Sequence, residues 1–348
     1  MQVSIGFHRD AIDDWEGLTN FTLEAERMGV ATAWTAEAWA YDAATPLAYL
    51  AAKTDRIRLG AGIFQVGTRT PALLGMTAMA LDSMSGGRFV LGLGTSGPQV
   101  IEGWHGVPFD RAVTRTRELI EVVRMVMRGQ TVAYDGDLYQ LPLPGGDGKA
   151  LRSGAPPAAD VPIYIASLGP KNLELTGELA DGWLGTSFIP EHADVFLDRI
   201  RAGAQRAGRS LAEIDLQVGG GVQFTDDVDA AIEQRKRGLA FSLGAMGSRR
   251  HNFYNAAYRR QGYADEAAAI QRLWLDGRRD EARALVPDEM VRLTSMIGDE
   301  QMVRDRVRAY RDAGITTLRV DPHGATLADR LETLGKTIDI VNAVSAEG

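Results

Sequence analysis

A short apolar run followed by a tract of helical spacing recurs along this 348-residue chain, and that recurrence constrains the fold more than any other feature. The first unit is Val3–His8 and then Asp14–Met28, whose Leu18, Phe21, Leu23, Ala25 and Met28 fall at near-helical spacing before Gly29. Glycine at that position readily ends a helix. The unit returns as Thr32–Glu37 with Pro46–Lys53, Ile57–Gln65 with Pro71–Met84, and Phe89–Ser96 with Arg111–Arg128. It continues as Ile163–Gly169 with Lys171–Ala180, Trp183–Phe188 with Glu191–Ala207, Leu216–Thr225 with a long helical tract, and Thr317–Asp321 with Leu327–Val344. Unbroken apolar strands such as Phe89-Val90-Leu91-Gly92-Leu93-Gly94 suit a parallel sheet covered by helices rather than a half-wetted antiparallel one. These units predict an α/β fold, a closed (β/α)8 TIM barrel, which often runs past about 250 residues as one domain.

The prediction is therefore a single domain over 1–348 that carries two insertions. One, at about 129–161, precedes strand five and is Gly- and Pro-rich around a hairpin at Val132–Leu141. The other, at about 226–296, follows strand seven; its stretches Arg249–Arg260 and Ala264–Leu275 would build a helical lid over the barrel mouth. The charge balance of 38 Lys+Arg against 46 Asp+Glu, a net −8, argues against nucleic acid or an anionic membrane held by general charge. A hydrophobic fraction of 45% and a charged fraction of 24% fit a soluble globular chain and not a disordered or membrane-spanning one. The lack of cysteine excludes disulfides, thiolate metal sites and cysteine nucleophiles, and fits a reducing cytoplasm. Val3-Ser4-Ile5-Gly6-Phe7 reads as a first strand, not as a signal peptide or anchor. A cytoplasmic protein acting on a small molecule is the expectation.

In such a barrel the chemistry sits at the C-terminal ends of the strands. Those ends carry His8; Glu37, Ala38 and Trp39; Phe64 and Gln65; Thr95, Ser96 and Gly97; Ser167 to Asn172; Ser187 and Phe188; Gln223; and Asp321 with His323. Aromatic and amide groups outnumber charges there, which suits a flat ring held by stacking and main-chain hydrogen bonds. The five histidines show no His-x-His or HExxH spacing, so no metal is predicted. There is also no Gly-x-Ser-x-Gly elbow for a serine hydrolase. Gly92-Leu93-Gly94-Thr95-Ser96-Gly97 matches GxGxxG, but Pro98 follows at once and three β-α units precede it, unlike a dinucleotide-binding turn that opens its domain. Its glycines suit close approach to a flat ligand, with tight barrel packing as the alternative. Ser167-Leu168-Gly169-Pro170-Lys171-Asn172 runs from a strand end into a helix start, where free N–H groups and the helix dipole can meet an anion and Lys171 adds a point charge. A Gly-Pro helix start with a solvated lysine is the other reading of the same residues.

Taken together, several segments resemble the luciferase-like monooxygenase superfamily, and most closely its coenzyme F420 (deazaflavin)-dependent branch, which includes methylenetetrahydromethanopterin reductases. They are Thr35-Ala36-Glu37-Ala38-Trp39; Arg56-Ile57-Arg58-Leu59-Gly60; Arg69-Thr70-Pro71-Ala72; Leu81-Asp82-Ser83-Met84-Ser85-Gly86-Gly87-Arg88-Phe89; and Leu91 to Gln99. Glu102-Gly103-Trp104-His105-Gly106, Gly169-Pro170-Lys171-Asn172, Ala180-Asp181-Gly182-Trp183, Ala309-Tyr310 and Ala313-Gly314-Ile315 continue the pattern. The likeness is least clear over 226–296.

The resemblance implies a deazaflavin in the barrel mouth above a non-proline cis peptide in the third strand, here Gly62-Ile63 by position. It implies that Thr95, Ser96 and Gly97 bond the ring or ribityl chain, and that Gly169, Pro170, Lys171 and Asn172 hold the phosphate. Arg249 and Arg250 are candidates for the anionic tail. Sugar-phosphate and alcohol dehydrogenases of this branch carry a histidine where this chain has Ala38, which points away from alcohol oxidation and toward reduction of a C=C, C=N or methylene-type acceptor. Glu37 is the first choice as proton source, as a carboxyl raised by a dry mouth, and His8 the second; the other reading of Glu37 is structural, a buried carboxylate bonded to backbone or to a neighbouring barrel residue. Trp39, Phe64, Trp104, Phe188 and Phe253 are candidate walls of the substrate pocket. A homodimer is the assembly such relatives often adopt. The competing readings are an FMN-dependent monooxygenase on the same fold, and a barrel with no redox cofactor acting as a hydrolase or binding protein.

Overall fold

The structure is a computed structural model and describes residues 1–7, 14–247 and 252–347. His8, Arg249 and Arg250 lie outside the described residues. The barrel strands are β1 (Gln2–Gly6), β2 (Thr32–Thr35), β3 (Arg58–Ala61), β4 (Phe89–Gly94), β5 (Ile163–Ala166), β6 (Gly182–Leu184), β7 (Asp215–Phe224) and β8 (Thr317–Pro322). Every neighbouring pair is parallel, and β7 pairs with both β6 and β8, so the sheet closes on itself. All the expected strands are present. The third is shorter than expected: a cis peptide joins Gly62 and Ile63, and a separate short strand, Phe64–Gln65, then pairs with β4.

The outer helices are α1 (Trp15–Arg27), α2 (Ala44–Ala51), α3 (Pro71–Ser85), α4 (Ala112–Met127), α5 (Pro170–Leu179) and α6 (Asp194–Arg206). Their boundaries follow local chemistry. Thr70 Oγ1 caps the start of α3 through the Leu73 N–H, Pro71 stands in its first turn, and Gly86 ends it with φ 67°, a left-handed turn that glycine takes at no steric cost. The strands alternate, with one set of side chains in the shell against these helices. Val3, Ile5, Leu59, Leu91, Ile163, Trp183, Leu216 and Leu318 all lie in that main core. On β2, β4, β5 and β6 the inward set is Trp34, Val90, Tyr164 and Leu184, a separate layer inside the barrel.

The second insertion holds α7 (Val228–Gly244), α8 (Phe253–Arg260), α9 (Ala264–Leu275), α10 (Arg279–Ala284) and α11 (Asp288–Thr294). These helices pack on a core of their own that includes Ile232, Leu243, Tyr258, Ile270 and Met290. The chain rejoins the sheet at Met296–Gly298 beside β7, then runs through α12 (Glu300–Asp312) and α13 (Leu327–Ala346). In the first insertion Tyr134–Asp135 pairs antiparallel with Gln140–Leu141. Glu118 of α4 fixes that hairpin by accepting the N–H groups of Asp137, Leu138 and Tyr139. Among the described residues, no helix is long and apolar enough to cross a membrane.

Candidate active site

The barrel interior toward the N-terminal ends of the strands, beneath the mouth, is filled by a polar network around the Trp34 and Tyr164 rings. Gln217 of β7 accepts from Ser4 Oγ at 3.1 Å and from the Trp34 indole at 3.0 Å, and its amide donates to Asp215 at 2.8 Å. Asp215 also accepts the Tyr164 hydroxyl at 2.8 Å and the Thr317 hydroxyl at 2.9 Å. Burial, together with the charge of Asp215, pushes the Tyr164 phenol well above its ordinary range, so it stays a donor. A connected buried network of this kind fixes side chains in one arrangement. It holds the Trp34 indole, whose ring lies against Gly60 where a Cβ would come within 2.3 Å.

Above this network sits the cis Gly62–Ile63 bond. The first two glycines of the GxGxxG run face it rather than a ligand. A Cβ on Gly92 would lie 1.8 Å from the Ala61 carbonyl oxygen, and one on Gly94 would meet the Ile63 side chain at 2.8 Å. At these two positions tight barrel packing, the alternative weighed for the run, is what the geometry shows. Past β4 the backbone opens. Thr95, Ser96 and Gly97 are half-buried, Ser96 has φ 56°, and Gly97 begins a four-residue helical turn, Pro98–Ile101, with no side-chain cap. Ser187, beyond β6, is a second non-glycine residue at positive φ, at 52°. Such residues cluster at functional strand ends because the surroundings must hold them there.

At the end of β5, Gly169 starts α5 with Pro170 in its first turn and no side chain capping it. Its first N–H groups therefore have no partner within the helix. Lys171 is exposed beside them, while Asn172 is nine-tenths buried with its Oδ1 unpartnered. A buried acceptor left in this way is open to a donor from outside the chain. Arg260, at the end of α8, donates to the Leu168 carbonyl at 2.6 Å and so brings a cation of the insertion next to this loop. The spacing of α5 gave no hint of it. Burial, with Arg199 nearby, pushes its guanidinium below the ordinary value.

The Glu37 side chain is buried, as expected, but it is paired. Its Oε2 lies 2.8 Å from Arg69 Nη2 and accepts the Ala43 N–H at 3.1 Å. Through these two contacts Glu37 anchors the loop after β2 to Arg69 and to the start of α2. Gln65, fully buried, donates to the carbonyls of Glu37 and Ala38 at 3.2 Å each and ties the same loop to the third strand unit.

The candidate pocket walls separate into two groups. Phe64 and Phe188 are 0% and 2% exposed and belong to the shell core. The correction is physical: Ile63 turns toward the barrel layer, which sends Phe64 outward under the Arg69 guanidinium, and Phe188 packs with Trp183, Phe196 and Tyr310. Trp39 and Trp104 remain 41% and 66% exposed, and Phe253 is half-buried with its ring 6.2 Å from Phe109. That ring pair, with Gln99 Nε2 donating to the Ala245 carbonyl at 3.1 Å, docks the insertion on the loop after β4. Gln261 fastens its other side, donating to the Ser187 carbonyl and accepting the Ile189 N–H, both at 2.8 Å. Among the described residues no group of three or more His, Asp or Glu is placed to hold a metal ion.

The chain is thus a closed parallel (β/α)8 barrel with a half-buried, glycine-edged mouth, an uncapped helix start at its rim and a docked helical insertion. The chain belongs to the luciferase-like monooxygenase family, whose model matches residues 2–317. It is 41% identical over 304 residues to a putative coenzyme F420-dependent oxidoreductase of Mycobacterium tuberculosis, covering 85% of this chain and 88% of that one. It is 30% identical over 332 residues to the 5,10-methylenetetrahydromethanopterin reductase of Methanolobus tindarius, covering 92% and 95%. The solved coenzyme F420-dependent tetrahydromethanopterin reductase of Methanopyrus kandleri superposes with a TM-score of 0.79 at 27% identity, over 96% of this chain and 97% of that one.

Proposed function

We propose that this chain is an F420-dependent oxidoreductase that reduces a C=C, C=N or methylene-type bond of a small organic acceptor. The observation that carries the cofactor is the uncapped start of α5, with exposed Lys171 and the buried, unpartnered Oδ1 of Asn172. These fit a phosphate followed by a hydroxylated chain, and the likeness to the putative coenzyme F420-dependent oxidoreductase at 41% identity and to the solved F420-dependent tetrahydromethanopterin reductase supports the choice. When bound, F420 supplies hydride chemistry. The chain's own part is to bind and orient: Gly169, Pro170, Lys171 and Asn172 would hold the phosphate, Thr95, Ser96 and Gly97 would bond the ring or ribityl chain, and the Gly62–Ile63 strand end would face the ring. The insertion is fastened beside the mouth by Gln261 and Arg260. Ala38 provides no base for an alcohol, which favours the reductive direction.

The test is a parallel fluorescence titration of the purified protein with F420 and with FMN. Binding of F420 at micromolar or tighter affinity, with little for FMN, supports this reading. The opposite preference makes the protein an oxygen-using monooxygenase, and binding of neither removes the redox cofactor. Lys171→Ala is expected to weaken F420 about tenfold, the worth of one charge-assisted contact, without lowering the melting temperature.

A further inference from the structure

The insertion and the start of α5 meet at a place rich in positive charge. The last turn of α8 reaches two strand ends: Gln261, just past it, donates to the Ser187 carbonyl beyond β6, and Arg260 Nη2 donates to the Leu168 carbonyl beyond β5 at 2.6 Å. Leu168 directly precedes Gly169, where α5 starts. A guanidinium is thereby held one residue from a helix N-terminus that is itself positive, with Lys171 exposed in the first turn. Arg260 is half-buried, its Nε is sealed from solvent with no partner, and among the described residues no carboxylate pairs with it. Glu174 of α5 is already taken by Arg199 and Arg206, at 3.1 and 3.0 Å. On the helix itself, the Oδ1 of the nine-tenths-buried Asn172 is likewise unpartnered.

A half-buried cation without a counter-ion, set beside a second positive end, is costly unless an anion joins the two. A phosphate suits both, because a guanidinium offers paired donors at phosphate spacing and the free N–H groups of a helix start favour the same charge. We propose that Arg260 is a ligand of the phosphate bound at the start of α5, so that the insertion supplies part of the cofactor site and its docking is linked to anion binding. The proposal rests on the F420 reading for what carries the phosphate, but not for the anion site. A phosphate that bridges Arg260 and α5 binds the docked insertion better than the undocked one. It therefore tightens docking by the same factor by which docking tightens the phosphate. Lys171 lies on α5 alone and carries no such link.

Fluorescence titration would compare F420 with the same deazaflavin carrying a bare ribityl chain and no phosphate, while hydrogen exchange follows α8 with and without F420. Arg260→Gln is expected to weaken F420 about tenfold and the phosphate-free compound by less than about twofold, and Arg260→Lys to recover part of that difference. Saturating F420 should slow exchange in α8 about tenfold in the wild type and leave it unchanged in Arg260→Gln. An arginine that only pins Leu168 would shift both compounds alike. Equal loss for the two compounds, undiminished F420 affinity in Arg260→Gln, or exchange in α8 that ignores F420 in the wild type would overturn the proposal. If neither deazaflavin binds, the F420 reading falls and inorganic phosphate decides this one. Protection of α8 by phosphate that is lost in Arg260→Gln upholds the Arg260 site, and no protection in the wild type overturns it.

Discussion

Two carboxylates show how a single residue can organise a loop here. Glu26 of α1 accepts the N–H groups of Asp55, Arg56 and Ile57 at 3.0, 2.6 and 2.8 Å and so sets the turn into β3. Burial pushes its carboxyl up, but the three donors and the Arg56 charge outweigh that and hold it below the ordinary value. A depressed folded value means that the stabilisation is full above the ordinary glutamate range and is lost as pH falls through the folded value. Glu26→Gln is therefore expected to cost about 1–3 kcal/mol at neutral pH and to flatten the loss of stability below about pH 4.5. Urea midpoints at stepped pH measure both, and an acid limb parallel to wild type would clear Glu26 of the role. Glu37 is the second. Replacing it by Gln leaves the Arg69 guanidinium partly buried without its counter-ion, at a cost of about 1–3 kcal/mol. As an anchor, Glu37→Gln should lower the denaturation midpoint while the pH profile of kcat keeps its shape. A changed profile at unchanged stability would restore it as the proton source.

At the scale of the element, the third strand unit depends on its neighbour. Ala61, Gly62 and Ile63 fit only because β4 presents bare backbone at Gly92 and Gly94. Gly92→Ala is expected to destabilise the barrel by roughly 1–3 kcal/mol through overpacking and to weaken F420 binding together with stability, read by melting and by fluorescence titration. Retention of both would mean that β3 can shift freely. The insertion depends in the same way on Gln261, whose amide satisfies Ser187 and Ile189 at once. Gln261→Leu strands a buried carbonyl and a buried N–H. Hydrogen exchange should then rise in α8 while β1 to β4 stay protected, and uniform protection would show that the other contacts suffice.

For the whole molecule, ligand binding couples the cofactor site to stability. F420 at about 100 times its Kd should add roughly 2.7 kcal/mol and raise the melting temperature by a few degrees, whereas FMN at the same concentration should not. Much of this architecture was legible in advance. The β-α recurrence identified every barrel strand because parallel strands buried in a shell are short apolar runs, and the Gly-Pro-Lys-Asn start of α5 was visible as a strand-to-helix junction. A further signal lay unread in β7 and β8. Asp215, Gln217, Gly219, Gly221 and Gln223, with Thr317, Arg319 and Asp321, place polar residues or glycine at alternate positions in otherwise apolar strands, which marks the faces that turn inward.

What the sequence determined by itself was the order of strands and helices, the closure of the barrel and the places of the two insertions. These follow from local periodicity and from the short reach of each connection. Only the tertiary structure decided which strand-end aromatics face the mouth, since Phe64 and Phe188 turned into the shell, and which charge meets which. Glu37 and Arg69 lie 32 residues apart, Trp34 and Gln217 183 apart. Arg235 reaches Gly221 from a helix of the insertion. Such pairings are set by which side chains meet across the closed barrel and by how the insertion docks, and no local pattern of residues encodes those meetings.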